Sequence, residues 1–140
     1  MMTGSNPLGH RRIAKADSAA IAEAVERLLV GDVVAIPTET VYGLAADASN
    51  AEAVAQIYRT KGRPDFNPLI VHVPDHAAAE RLAQFDDRAS MLAFRFWPGP
   101  LTLVLPLQPD APVAKAVTAG LPTIALRCPA HPVMQAVLKQ

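Results

Sequence analysis

Three groups of polar and charged residues have the types and spacing that chemistry requires. The first is the segment 37–44, which supplies two hydroxyls, a carboxylate and a phenol within five residues, from Thr38, Glu39, Thr40 and Tyr42. A buried strand is predicted directly before it, and sheet proteins tend to bind ligands where strands end. The segment is therefore a candidate binding loop. The alternative is that a threonine caps a following helix, with the glutamate in its first turn.

The second group is Lys61-Gly62-Arg63, in which two cations flank a glycine. The glycine allows close approach of a backbone, while the lysine offers a point charge and the arginine a planar fork of donors. This combination suits a phosphate or a carboxylate. It is not a Walker-type phosphate loop, because the glycine spacing and the Ser or Thr after the lysine are missing. The alternative is a solvated basic end of a helix, where cations interact favourably with the helix dipole.

The third group consists of two polar residues in predicted strands, His72 and Arg127. A polar side chain in a buried strand needs a partner, so each either is satisfied by the structure or faces a ligand. The other histidines have no metal-ligand spacing among themselves, and no metal site is assigned to the protein side chains: His10, His76 and His131.

The elements that would position these groups alternate between strands and helices. Apolar runs and proline punctuation predict strands at 33–36, 69–73, 101–107 and 123–128. Helical spacing predicts helices after Asp17-Ser18 and over about 50–60, 77–82, 89–96 and 131–138. The run 33–36 is almost wholly apolar, which predicts a strand covered on both faces. The class predicted is α/β or α+β, and the length of 140 residues predicts one core.

Composition narrows the classes of protein further. Formal net charge is zero, which argues against binding nucleic acid mainly through bulk electrostatics. The single cysteine excludes an internal disulfide and fits a reducing cytoplasm. Neither a signal peptide nor a stretch approaching the ~20 apolar residues of a membrane helix is found. We expect a soluble, cytoplasmic protein without a membrane partner, and we expect Cys128 to be a strand residue and not a nucleophile.

Five segments occur in the order and approximate spacing of the Sua5/YciO/YrdC family, which the chain resembles from about residue 17. They are PTETVYGL at 37–44, KGRP at 61–64, NPLIVH at 67–72, WPGPLT at 97–102 and ALRCP at 125–129. Five motifs in order are far more specific than any one of them. The resemblance implies a twisted mixed β-sheet flanked by helices around a concave, positively charged pocket, in a YrdC/RibB-like arrangement.

The family's activity, as the resemblance implies it, is L-threonylcarbamoyladenylate synthesis. In this nucleotidyltransferase reaction L-threonine, bicarbonate or CO₂, and ATP give threonylcarbamoyl-AMP and pyrophosphate, with Mg²⁺ carried in on ATP. Partner proteins then transfer the threonylcarbamoyl group to tRNA. Contact with double-stranded RNA is also implied.

The resemblance also implies roles for individual residues. Lys61 and Arg63 are expected to contact the nucleotide phosphates and to act as the catalytic cations. Thr40 and His72 match positions around the threonine side chain, and Arg127 is expected to pair with an anionic group of the substrate.

One departure from the family is expected to matter. Family members continue with another strand and a Ser-Ala-Asn-type segment that this chain lacks. We therefore expect a flexible N-terminus at 1–16, a C-terminally incomplete YrdC-like domain at 17–140, and incomplete activity of this chain alone. Two other readings are a double-stranded RNA- or tRNA-binding module or paralogue without full catalysis, and a related domain of hydrogenase-maturation proteins.

Overall fold

The computed structural model describes residues 12–39, 41–64 and 67–140. The elements, in chain order, are α1 (Ser18–Leu29), β1 (Val34–Pro37), β2 (Tyr42–Ala45), α2 (Ala51–Lys61), β3 (Ile70–His72), α3 (His76–Glu80), α4 (Asp87–Phe96), β4 (Thr102–Pro106), a 3₁₀ turn (Lys115–Thr118), β5 (Thr123–Arg127) and α5 (Pro132–Leu138). The mixed α/β class predicted from the sequence is confirmed.

The helices begin where short polar side chains can cap them. The carboxylate of Asp17 accepts a hydrogen bond from the Ala20 N–H at 2.9 Å, and the Asn50 amide oxygen accepts one from the Ala53 N–H at 3.1 Å. Each cap satisfies an amide that the first helical turn leaves without a partner. At the other end of α2, Gly62 adopts φ +61°, a left-handed conformation that glycine adopts without strain.

The main sheet has three strands in the order β3-β5-β4. β3 runs parallel to β5, with His72 beside Arg127, and β4 runs antiparallel to β5, with Thr102 beside Arg127. The sheet is therefore mixed, as predicted. Its register places the last residues of β3 and β5 next to the first residue of β4.

The strand predicted to be covered on both faces lies elsewhere, in a two-stranded antiparallel ribbon. β1 pairs with β2, whose existence the sequence did not predict. Of the four residues of β1 only Ile36 is buried, and Ala35 is exposed. The prediction of two-sided burial was wrong, because two strands alone provide no second layer on the outer side. The observed strand is shifted by one residue from the predicted 33–36 and ends at Pro37.

The described residues form two hydrophobic clusters, where the sequence predicted one core. The larger lies between the main sheet, α2, α3 and the 3₁₀ turn, and its most buried members include Leu126, Ile124 and Val54. The smaller joins the ribbon to α1 and α5 through Ile36, Met134 and Val137. No helix in the described ranges is both long enough and apolar enough to cross a membrane.

Candidate functional site

Arg127 and His72 lie side by side at the carboxyl ends of two neighbouring parallel strands. They occupy paired positions of β5 and β3, and paired residues place their side chains on the same face of a sheet. Both side chains are half-buried. The structure thus brings together two of the residues predicted from the sequence.

Thr102 fixes the guanidinium of Arg127. Its hydroxyl oxygen accepts hydrogen bonds from Nε of Arg127 at 2.9 Å and from Nη2 at 2.7 Å. These contacts use two of the five guanidinium N–H groups, so donors remain for a bound anion. A half-buried arginine held in one orientation is suited to recognising a carboxylate or a phosphate.

The imidazole of His72 is kept neutral at physiological pH. Burial lowers the pKa of His72 below its ordinary value of 6.5, and the positive charge of Arg127 lowers it further, against a weaker opposing effect of Glu39. A neutral imidazole carries one donor and one acceptor nitrogen, so it can hydrogen-bond a hydroxyl without adding charge to the site.

Glu39 brings a carboxylate to the same region from the turn of the ribbon. Its Oε2 accepts a hydrogen bond from the backbone N–H of Ala130 at 2.9 Å, across 91 positions of sequence. This bond lowers the pKa of Glu39, and the positive charge of Arg127 contributes in the same direction. The carboxylate is therefore ionised at neutral pH.

The remaining polar residues of that turn hold the ribbon together. The Thr38 hydroxyl donates to the carbonyl of Val41, and the Val41 N–H points back to the Thr38 hydroxyl at 3.3 Å. The alternative in which Thr38 caps a helix is wrong, because the strand β2 follows. Thr40, which was predicted to contact threonine, lies outside the described residues.

The predicted phosphate loop begins at the end of α2. Lys61 is the last residue of that helix and is exposed. The guanidinium of Arg63 turns back onto its own loop, where Nη2 donates to the carbonyl of Pro68 at 2.8 Å and Nε approaches that of Asn67 at 3.4 Å. Within the described ranges, no hydrogen bond or ion pair joins these two cations to His72 or Arg127.

Tyr58 anchors the same loop from inside the protein. Its buried hydroxyl lies 2.9 Å from the carbonyl oxygen of Asn67 and 2.8 Å from that of Ala116, in the 3₁₀ turn. The Leu69 N–H also donates to the carbonyl of Val117 at 2.9 Å. The loop that carries the two cations is therefore fastened to the main body of the fold on both sides.

Two residues of the site were missed as site residues by the sequence analysis. Glu39 lies within the polar segment 37–44, and Thr102 is the second residue of the predicted strand 101–107, but neither position indicated its hydrogen-bond partner. Strand register and a contact across 91 residues decide those partners. Cys128 was predicted to be a strand residue, but β5 ends at Arg127 and Cys128 is the residue after it. Its side chain is buried, and burial raises the pKa of its thiol, which disfavours the reactive thiolate.

Comparison with known proteins shows which of them share this arrangement. The family model Sua5_yciO_yrdC, described as telomere recombination, matches residues 26–140. The threonylcarbamoyl-AMP synthase of Bacillus subtilis is 51% identical over 121 residues, which cover 86% of this chain and 35% of that protein.

Two solved structures have the same fold. Pyrococcus abyssi Sua5, complexed with L-threonine, matches with a TM-score of 0.83 and 45% identity, covering 92% of this chain and 37% of that one. Escherichia coli YciO matches with a TM-score of 0.78 and 26% identity, covering 88% and 59%. The chain thus spans about a third of the length of the first two relatives. Its family model, its sequence relatives and its structural neighbours agree, and the chain belongs to the Sua5/YciO/YrdC family.

Proposed function

We propose that the protein carrying this sequence is an L-threonylcarbamoyladenylate synthase, which makes threonylcarbamoyl-AMP and pyrophosphate from L-threonine, bicarbonate or CO₂, and ATP. The observation that carries the proposal is the Arg127 guanidinium, fixed by Thr102 beside the neutral imidazole of His72. A relative with 51% identity bears the name of this enzyme, and a structural neighbour binds L-threonine.

The threonine half of the site is assigned to the sheet edge. Arg127 pairs with the carboxylate of threonine, because its planar fork of donors matches the two oxygens of that group. His72 and Thr40 surround the side chain of threonine, where the neutral imidazole of His72 bonds the hydroxyl. A site that hydrogen-bonds the hydroxyl of its substrate discriminates strongly against an analogue without that hydroxyl, since the polar groups of the site would then be unpaired.

The nucleotide half is assigned to the loop after α2. Lys61 and Arg63 contact the phosphates of ATP and neutralise the charge that develops as pyrophosphate leaves. Mg²⁺ accompanies ATP as part of the substrate, held by phosphate oxygens and water, and we assign no residue of this chain to it.

The reaction needs positioning more than covalent catalysis. The amine of threonine adds to CO₂ and loses a proton, which gives a carbamate. A carbamate oxygen then attacks the α-phosphorus of ATP, the bond to the bridging oxygen breaks, and pyrophosphate leaves. Holding the three reactants together lowers the barrier, and a closed site protects the unstable carbamate from water. Transfer of the threonylcarbamoyl group to tRNA is left to partner proteins.

Pyrophosphate release tests the proposal. The protein is incubated with ATP and Mg²⁺, with threonine and bicarbonate supplied together or one at a time. We expect release only when both are present, and release that does not depend on threonine would contradict the proposed function. If structured RNA is bound instead, with an affinity that falls steeply with salt and without threonine-dependent release, the RNA-binding alternative is favoured.

The Lys61→Ala variant tests the phosphate loop in the same assay. We expect turnover to fall by at least tenfold, because a charge on the transferred or leaving phosphates loses its partner (~1.4 kcal/mol or more). The matched control is Lys115→Ala, which removes an exposed lysine from the 3₁₀ turn and should leave turnover unchanged. Equal turnover of the Lys61→Ala variant and the unsubstituted protein would remove Lys61 from the site.

A further inference from the structure

Glu39 is an exposed carboxylate with an unusual long-range partner. It bonds the main-chain N–H of Ala130, three residues beyond Arg127. Exposed hydrogen bonds and exposed charges contribute little to stability. A bond of this kind between two distant segments, next to the candidate site, therefore calls for a role other than stabilising the fold.

The two residues between Arg127 and Ala130 are also held by hydrogen bonds to their carbonyl groups. The carbonyl of Cys128 accepts a hydrogen bond from the Gly99 N–H at 2.8 Å, and the carbonyl of Pro129 accepts one from the side chain of Gln135. Position 99 requires glycine, because a Cβ there would lie 2.4 Å from the carbonyl oxygen of Phe96. Glu39 adds the third consecutive contact, and it is the one that comes from the ribbon.

The contact joins the two hydrophobic clusters at the edge of the site. Glu39 follows β1, whose Ile36 packs in the smaller cluster, whereas Arg127 ends β5, whose Leu126 is buried in the larger one. The Glu39 contact therefore ties the ribbon to the main chain three residues beyond the arginine. No ion pair between Glu39 and Arg127 occurs among the described residues, so the carboxylate does not occupy the guanidinium itself.

We propose that Glu39 is a positioning residue for threonine binding: by accepting the Ala130 N–H, its carboxylate fixes the main chain after Arg127 and thereby the direction of the arginine that receives the threonine carboxylate. This role rests on the proposed function. The ionised state of Glu39 at neutral pH fits it, because a carboxylate is a stronger acceptor than its protonated form.

Two substitutions separate the hydrogen bond from the charge. Glu39→Gln keeps an oxygen that can accept the Ala130 N–H but removes the charge, and Glu39→Ala removes both. Glu26→Ala is the matched control, because Glu26 is an exposed glutamate of α1. For each protein we measure the hydrogen exchange of the Ala130 amide by NMR and the dissociation constant of L-threonine by calorimetry.

We expect Glu39→Ala to lose protection of the Ala130 amide and to bind threonine at least fivefold more weakly. Glu39→Gln is expected to retain that protection and to bind within about twofold of the unsubstituted protein, since a neutral acceptor still makes the bond. Melting temperatures of both variants should match that of Glu26→Ala, as expected for an exposed contact.

Three results would overturn the role of Glu39 without affecting the proposed function. They are an unchanged threonine affinity of Glu39→Ala, an equal loss of threonine affinity in Glu39→Ala and Glu39→Gln, or a melting temperature of Glu39→Ala below that of the control. The second would assign the effect to charge, and the third to folding. Failure of the unsubstituted protein to bind threonine would instead overturn the proposed function together with this role.

Discussion

At the scale of single residues, the site depends on how Arg127 is held. Arg127 lies on β5 and its hydrogen-bond partner Thr102 on β4, so two strands of the main sheet hold the guanidinium, while His72 occupies the neighbouring position on β3. A side chain oriented in this way loses little conformational entropy when it binds an anion. If Arg127 receives the threonine carboxylate as proposed, we expect its geometry as well as its positive charge to set the affinity.

The Arg127→Lys variant tests this geometry. Lysine keeps the charge but has no planar fork and cannot bond Thr102 through two nitrogens. We expect the dissociation constant of L-threonine, measured by calorimetry, to rise at least tenfold. Arg95→Lys is the control, because Arg95 is exposed on α4, and it should bind threonine as the unsubstituted protein does. Unchanged binding by Arg127→Lys would show that charge alone suffices.

The depressed pKa of His72 predicts a pH dependence of folding. The unfolded chain takes up a proton on this imidazole near pH 6.5, whereas the folded chain does so only at lower pH. Between the folded pKa and about pH 6.5 the unfolded state therefore binds more protons than the folded state. The contribution of His72 to the free energy of unfolding is complete above about pH 6.5, and it is lost as the pH falls toward the pKa of the folded state.

The His72→Asn variant should remove that contribution. Urea unfolding measured from about pH 8.5 down to about pH 5 should show a flatter decline of the free energy of unfolding for the variant than for the unsubstituted protein. Above about pH 7.5 the difference between the two should be constant, which serves as the internal control. Parallel declines over the whole range would show that His72 titrates alike in the folded and unfolded states.

At the scale of elements, local signals predicted what local contacts decide. The helices α1 and α2 begin directly after Asp17 and Asn50, close to where they were predicted, because a cap involves residues only three positions apart. The strand β2 and the one-sided burial of β1 were not predicted, because strand pairing is a non-local choice. The site shows the same division: the sequence indicated Arg127 and His72 by type, but their partners depend on register and on the distant Ala130.

The loop after α2 depends on a buried hydroxyl, which gives an element-scale prediction. Tyr58→Phe removes the donor shared by the carbonyls of Asn67 and Ala116. We expect the free energy of unfolding to fall by about 0.5–1.5 kcal/mol, the usual net value of a hydrogen bond, because the hydroxyl of the buried Tyr58 is lost while both carbonyls keep other donors. The KM for ATP should rise more than kcat falls, since the loop that carries Lys61 loosens.

The control for that prediction is Tyr42→Phe, which removes the hydroxyl of a tyrosine that is 75% exposed. Urea unfolding and pyrophosphate release measure both variants. If Tyr58→Phe lowers stability but leaves the KM for ATP unchanged, the loop does not carry the nucleotide contacts assigned to it.

At the scale of the whole molecule, the two hydrophobic clusters predict two levels of stability. The smaller cluster has three buried residues, Ile36, Met134 and Val137, and it supports only a two-stranded ribbon and two helices. Regions with few buried contacts open more readily than the rest of a fold. The ribbon should therefore open without unfolding of the main sheet.

Met134→Ala tests whether the clusters are independent. The substitution leaves a cavity against Ile36, and a loss of about 2–5 kcal/mol is typical of such changes. We expect faster hydrogen exchange of the amides of β1 and unchanged exchange of those of β5. The control is Met91→Ala, at a site that is 64% exposed. Equal acceleration in both strands would mean that the two clusters unfold as one unit.

The make-up of the smaller cluster also sets an order of events during synthesis of the chain. Its residues come from α1 and β1, near residues 21–36, and from α5, near residues 133–138, with the whole larger cluster between them. Closing a loop of roughly 100 residues is slow compared with forming local contacts. We therefore expect that, on the ribosome, the apolar face of α1 and the side chain of Ile36 are only partly covered until α5 has emerged, although they are made first. We expect the ribbon that carries Glu39 to be the last part of the site to be assembled.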